Sequence, residues 1–385
     1  MLQSDIAIIG SGMAGYFLAQ QLRELNDTAK ITVITANDGR FYPKPMLSTA
    51  LYHKKTPDTI TTATAEEMSA KYGIEVITHA QVSQVLTKDH LIQCNDKTVQ
   101  YKKLVFATGS KAIMIPGVVP VSGFLSVNSM EDYEQLLSQL DDNKRILIIG
   151  SGLVGVEFAH DLLAAGYDVS MVSQVPNALL GLVPDNIGDL CRDHLISMGL
   201  NWIEDRGVRG VCKKRDQVVV QFSDREDAEY DLVLSAVGIT PNTELAKQTN
   251  LEVNKGIITD EFGRTSQDDV FALGDCAEIY GLNLTYVAPI KQQSQAVAKT
   301  ILGQQTPIQY PAMPVVVKMP TFPLTLVPVR EVEIKGQWQS VENDLEKGVI
   351  SAFYDQDQLK GFALAGQATK KRNEWLQKMP PSIIT

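Results

Sequence analysis

Residues 5–22, DIAIIGSGMAGYFLAQQL, decide the fold. A short apolar run, Ile6 to Ile9, leads into Gly10, Gly12 and Gly15, and apolar residues at helical spacing follow. This is G-x-G-x-x-G placed between a strand and a helix, the context that gives the pattern meaning. The first glycine permits a tight turn, the second lets a pyrophosphate approach the backbone, and the third lets helix and strand pack closely. Ser11, Met13 and Ala14 fill the turn, where free N–H groups and the helix dipole favour phosphate. The expected fold is therefore α/β, with a Rossmann-like dinucleotide-binding unit at its start.

The same form returns at residues 145–173, RILIIGSGLVGVEFAHDLLAAGYDVSMVS. Here Gly150, Gly152 and Gly155 follow the run Ile146 to Ile149, and Leu153 and Val154 take the variable places. Two such units in one chain suit one flavin dinucleotide and one nicotinamide dinucleotide, the arrangement needed to pass a hydride between them. A Rossmann unit usually carries an acid about 20 residues past its glycines to bind ribose. The first unit instead offers Thr35, Ala36 and Asn37, and the second Ser173 and Gln174. Hydroxyls, amides or backbone must make those contacts. With no arginine at the second strand end to receive a 2′-phosphate, NADH is expected over NADPH.

Composition narrows the class. A chain of 385 residues has room for two or three domains. No apolar run approaches the ~18 residues of a membrane helix. The start of the chain has no basic region before its apolar run, so it reads as a strand and turn and not as a signal peptide. Four scattered cysteines without a C-x-x-C pair suit a reducing cytoplasm and argue against disulfides or a zinc site. A net charge of −10 argues against a nucleic-acid partner.

Between and after the fingerprints lie shorter motifs. In KLVFATGSKA (103–112) an apolar strand, Leu104 to Ala107, ends at Thr108-Gly109; DLVLSAVGITPNTELA (231–246) repeats the form with Gly238 at its turn. DDVFALGDCAEI (268–279) ends a strand in Gly274-Asp275, where a carboxylate can accept a hydrogen bond from a polyol such as the ribityl chain of FAD. In LTYVAPIKQQSQAVAKTILG (284–303) Pro289 suits a first helical turn, and the helix start near Val287 would favour the negative N1/O2 edge of a reduced flavin. Finally, RFYPKPMLST (40–49) sets Lys44 between two prolines that pre-shape the turn, and Lys318 interrupts the apolar run Val315 to Met319.

The order of these motifs resembles the two-dinucleotide flavoprotein reductases over about residues 4–305. Its KPMLS turn and its tail, MPVVVKMPTFPL (313–324), are most similar to the rubredoxin–NAD reductase branch. The resemblance implies an FAD-binding domain in two parts (1–112 and 244–308), an NAD-binding domain between them (113–243), and a small C-terminal α+β domain (309–385). It also implies that Lys44 lies near flavin N5, paired with Glu157 after the second fingerprint. Lys318 joins the flavin site, and the backbone of Val82 contacts adenine.

The resulting expectation is an NADH-dependent FAD enzyme that reduces rubredoxin, a small iron–thiolate carrier, as a cytoplasmic monomer. By analogy it would feed a hydrocarbon-hydroxylating system. A reductase of flavorubredoxin, or of an oxygenase ferredoxin, would share the fold and both cofactor sites. A dithiol reductase is excluded by the missing cysteine pair, and an NADH oxidase or peroxidase using one reactive cysteine is disfavoured because PMLST supplies none. A redox-sensing interaction protein would need targeting or basic segments that this chain lacks.

Overall fold

The computed structural model describes all residues except 141–143, 205–206, 330–334 and 383–385. Ile6 to Ile9 are buried throughout, as a strand covered on both faces must be. They close the strand Leu2–Ile9, which runs parallel to Ile31–Ile34 on one side and to Lys97–Phe106 on the other. Glu75–Ile77 extends the sheet beyond Ile31–Ile34, and the hairpin strands Leu91–Cys94 and Val82–Leu86 extend it beyond Lys97–Phe106.

The apolar stretch at 104–107 is the end of that ten-residue strand. Its first part pairs antiparallel with Leu91–Cys94, while its last part pairs in parallel with Val270–Ala272, Val270 lying opposite Leu104. Residues from beyond the second fingerprint thus complete the first sheet. Helix α1 (Met13–Leu25) follows the first glycine turn, and α2 (Leu153–Ala164) follows the second. Helix α3 (Asp185–Ser197) packs on α2, and α4 (Val287–Ile301) packs on α1.

The second sheet is wholly parallel, in the order Asn201–Glu204, Asp168–Ser173, Arg145–Ile149, Leu232–Ser235, Phe124–Leu125. Its central strand, Ile146 to Ile149, carries the second glycine turn. The two passes of the chain between the sheets run side by side, Ser110–Ala112 antiparallel to Ile239–Pro241. Thr108 and Asn242 clasp this crossing: the Thr108 hydroxyl donates to the Asn242 carbonyl, and the Asn242 amide to the Thr108 carbonyl, each at 2.9 Å.

The third sheet is antiparallel, in the order Val315–Val317, Leu324–Val327, Gln358–Ala365, Gly348–Asp355, Gln337–Asp344. One face packs against the helix Arg372–Lys378 through Phe362 and Trp375. Val317, Met319, Leu324 and Leu326 instead share a core cluster with Ile146, Phe158 and Leu47. The third unit is thereby docked against the second fingerprint and the KPMLS turn. Two Rossmann-like α/β units and a small C-terminal α+β domain make up the chain, as its motifs predict. Among the described residues no helix is long and apolar enough to cross a membrane.

Candidate functional site

Both glycine turns adopt the conformation their residues permit. Gly10 and Gly150 have φ of 116° and 104°, a region closed to most side chains. A Cβ on Gly15 would overlap the Gly10 carbonyl oxygen, and one on Gly155 would overlap that of Gly150, so these glycines serve packing. Gly12 and Gly152 differ, because a Cβ there would meet no protein atom within 4 Å. The N-termini of α1 and α2 also have no side-chain cap. Each turn therefore keeps free N–H donors facing reserved space, which is what a pyrophosphate requires.

Both spaces belong to one cavity of about 1320 Å³, larger than the roughly 300–1,000 Å³ of an ordinary small-molecule pocket. Ser11, Met13 and Ala14 line it from the first unit and Gly150, Leu153 and Val154 from the second. Lys44, Gly109, Glu157, Gly238, Asp275, Val287 and Lys318 also face it, together with Val316, which is half exposed. Thr35, Ala36 and Val82 do not line it. Thr35 accepts the Ser11 hydroxyl at 2.8 Å and donates to Asn37 Oδ1 at 2.6 Å, filling the place of the absent acid. Ser151 and Ser173 make the equivalent contact in the second unit, also at 2.8 Å. Val82 begins a hairpin strand opposite Cys94. Gly274, with φ 77°, lies against Ala14, and its N–H donates to Gln293.

Asp275 is mostly buried, and its Oδ2 accepts the Ser110 hydroxyl at 2.8 Å. Among the described residues its Oδ1 takes no hydrogen bond, leaving an acceptor for a polyol. Lys44 Nζ stands 4.0 Å from Asp275 Oδ2. Its side chain is 36% exposed and lines the cavity. Burial lowers the Lys44 pKa, partly offset by the charges of Asp275 and Asp132.

The expected pairing of Lys44 with Glu157 is not what forms. Glu157 is 3% exposed, and its cation is Lys318, whose Nζ lies 2.5 Å from Oε2. The Lys318 backbone N–H adds a bond to Oε1 at 2.9 Å, and the Ser48 hydroxyl donates to Oε2 at 2.6 Å. The reason lies in the KPMLS turn. Lys44 opens a 3-10 helix, Lys44–Thr49, after Pro43 and is held on the Asp275 side, so Ser48 is the residue that reaches α2. Lys318 follows directly after the short strand Val315–Val317, where the chain turns its backbone N–H and its side chain toward one carboxylate.

The exit of the same turn rests on α2. Asp161 is fully buried and accepts the N–H groups of Leu51 and Tyr52 at 3.1 and 2.7 Å. Burial raises its pKa to about 6, against the lowering effect of those two donors and His53. Ser48, Ser110 and Asp161 went unrecognised in the sequence because a hydroxyl or an acid on a helix face carries no spacing signal of its own. Only the position of Ser48 inside KPMLS pointed to it.

Two uncapped glycine turns opening into one cavity, with a buried ion pair between them, define a two-nucleotide oxidoreductase. Residues 4–298 match the family described as pyridine nucleotide-disulphide oxidoreductase, and the chain belongs to it. Residues 307–379 match the rubredoxin binding C-terminal domain. The chain is 37% identical to the rubredoxin-NAD(+) reductase of Acinetobacter baylyi, over 98% of both chains. It is 32% identical to the nitric oxide reductase FlRd-NAD(+) reductase of Shigella sonnei, over 98% of this chain and all of that one. In fold it is similar to the putidaredoxin reductase–putidaredoxin complex (TM-score 0.89, 21% identity, 99% and 94% covered). NADH:rubredoxin oxidoreductase from Clostridium acetobutylicum is similar as well (TM-score 0.78, 19% identity, 98% and 96% covered).

Proposed function

We propose that the chain is an NADH-dependent FAD enzyme that reduces rubredoxin. One observation carries the reading: Val316 and Lys318, from the segment that matches a rubredoxin binding domain, form part of the wall of the cavity both glycine turns share. An electron carrier docked on the third unit then lies beside the cofactor space. FAD, when bound, takes electrons in pairs from NADH and passes them on singly, which matches a two-electron donor to a one-electron iron carrier.

The turn Gly10–Gly15 would hold the FAD pyrophosphate, with Thr35 and Ala36 assigned to its ribose and the Val82 backbone to its adenine, beyond the cavity lining described above. Asp275, beside Gly274, would accept from the ribityl chain, with Thr108 and Gly109 assigned to the same cofactor. The N-terminus of α4 at Val287 presents N–H groups to the pyrimidine edge. Lys44 and the Glu157–Lys318 pair would flank the ring, the ammonium groups favouring its reduced form and the carboxylate compensating Lys318. Gly150, Gly152, Leu153, Val154 and Gly155 hold the NADH pyrophosphate, with Gly238 on the opposite wall. The domain limits 1–112, 113–243, 244–308 and 309–385 belong to the same proposal.

We further assign the enzyme to the cytoplasm as a monomer; its four cysteines are unpaired and three are buried. Hydrocarbon hydroxylation is the downstream use, by analogy with the branch it resembles. A flavorubredoxin reductase is the second reading, favoured by the full-length relatives at 32% identity. The test is a panel of acceptors reduced by NADH under anaerobic conditions. Rubredoxin should give the highest kcat/KM; a higher value with a [2Fe–2S] ferredoxin would overturn the reading.

A further inference from the structure

A threonine outside the cavity is hydrogen-bonded to two imidazoles at once. Thr321 Oγ1 lies 2.8 Å from Nε2 of His160 on α2 and 2.8 Å from Nε2 of His194 on α3. The two rings are stacked with centroids 6.5 Å apart. We infer that Thr321 is the positioning residue that sets the Lys318–Glu157 pair, through this hydroxyl shared by two helices. The inference rests on the role proposed above for that pair beside the flavin.

The protons in the contact can be assigned. His160 is fully buried, and among the described residues its Nδ1 has no hydrogen-bond partner. A buried bare nitrogen costs less than a buried N–H without an acceptor, so the ring carries its proton on Nε2 and donates it to Thr321. The Thr321 hydroxyl then donates to His194, whose ring is more exposed; Met198 Sδ, at 3.7 Å, is a weaker alternative acceptor. One hydroxyl thus satisfies an imidazole of each helix, and its removal orphans both.

Thr321 and Lys318 belong to one stiff turn. Pro320 and Pro323 fix their own φ, and two backbone bonds of 2.9 Å brace the segment, Met319 N–H to the Val317 carbonyl and Phe322 N–H to the Met319 carbonyl. Phe322 also stacks on His194 with centroids 5.1 Å apart. On α2, Glu157 and His160 are three residues apart and so share a face. The turn therefore grips that face twice, Lys318 on Glu157 and Thr321 on His160. Releasing the second grip frees the turn to slide, and Lys318 leaves the position where its N–H and Nζ both reach one carboxylate.

The test uses the FAD-loaded enzyme with Thr321→Val, which keeps the shape, and Thr321→Ser, which keeps the hydroxyl. In T321V the rate of flavin reduction by NADH should fall roughly fivefold, the equivalent of about 1 kcal/mol for one lost hydrogen bond. FAD content and the Kd for NADH should stay within twofold, and the midpoint potential should become more negative as Lys318 loosens. T321S should recover the rate to within twofold. Imidazole 15N spectra, simple to assign with five histidines, should show His160 as the Nε2–H tautomer in the parent and T321S but not in T321V. A T321V enzyme that melts earlier yet keeps the parental rate and potential would overturn the inference. Should T321V not fold, His194→Leu must slow the same step, and an unchanged rate there overturns it equally. A parent enzyme that fails to reduce rubredoxin would instead defeat the functional reading, leaving the comparison of potentials and spectra intact.

Discussion

Glu157 and Lys318 should prove energetically coupled, and a double-mutant cycle measures by how much. Glu157 is buried, Lys318 is 28% exposed, and the two approach to 2.5 Å. Removing one partner of a buried pair costs about 3–5 kcal/mol, because the other charge is left uncompensated. In Lys318→Met the carboxylate keeps the Ser48 hydroxyl and the backbone N–H of residue 318. The cost should then sit at the low end, about 3 kcal/mol. In Glu157→Gln the ammonium can turn toward the cavity solvent, so about 2 kcal/mol is expected after allowing for screening. The double variant holds no buried charge, and the amide that replaces the carboxylate can still accept from Ser48. It should lose about 2 kcal/mol, leaving a coupling of about 3 kcal/mol. Urea unfolding at pH 7 with excess FAD, followed by circular dichroism and flavin fluorescence, gives all three values. Losses that add within about 0.5 kcal/mol would show that the two side chains do not act on each other. The companion cycle, Lys44→Met with Glu157→Gln, should be additive on that same scale, since Lys44 faces Asp275.

The glycines separate packing from ligand binding. Gly15→Ala should destabilise the polypeptide itself, whereas Gly12→Ala should leave the apoprotein folded and weaken FAD retention; Gly152→Ala should raise the KM for NADH with FAD content unchanged. Thermal melts and flavin content check all three, and equal melting losses at Gly12 and Gly15 would refute the distinction. NADH should be preferred to NADPH by at least about tenfold in kcat/KM, roughly one missing charge-assisted contact at Ser173. The last prediction concerns pH. Asp161, raised to about 6, makes the folded chain bind more protons than the unfolded one, so its contribution to stability falls as pH rises from about 4 to 6. His160 is lowered to about 4 by burial and by His194, so its contribution rises over about pH 4 to 6.5. The two oppose in the parent. Asp161→Asn should leave the histidine slope alone, a gain of about 3 kcal/mol across that window in denaturant titrations, and a flat profile would refute it.

Features with a local physical requirement were legible in the sequence. Gly10 and Gly15 must be glycine because one needs a positive φ and the other meets a carbonyl oxygen, so their spacing announces the turn. The uninterrupted apolar runs at Ile6–Ile9 and Ile146–Ile149 announce strands buried on both faces. Asp275 was readable because an acid directly after an apolar strand needs a partner. Contacts made across long separations were not readable. Glu157 can be read as an exposed helical glutamate from its neighbours alone, and only its contacts with Ser48 of the first unit and Lys318 of the third explain its burial. The apolar surroundings of Lys318 make its charge stand out in the sequence, and it lines the cavity, but nothing local says which carboxylate it meets. The family resemblance pairs Lys44 with Glu157, whereas the 3-10 turn after Pro43 sets Lys44 beside Asp275 and Ser48 against Glu157.

The ion pair also explains why three units are needed for one site. Glu157 stands on the helix of the second glycine turn; Ser48 reaches it from 109 residues earlier, and Lys318 from 161 residues later. A carboxylate this deeply buried is tolerable only when both neighbours are in place. Its charge therefore penalises any arrangement in which the first or the third unit has moved off the second. The third unit contributes its cation from the residue after Val317, beside the half-exposed Val316 on the cavity wall. If the acceptor docks there, as proposed above, it would press on the segment that supplies the cation. On the function proposed above, acceptor docking and the charge at the flavin site would both depend on neighbouring residues of one turn.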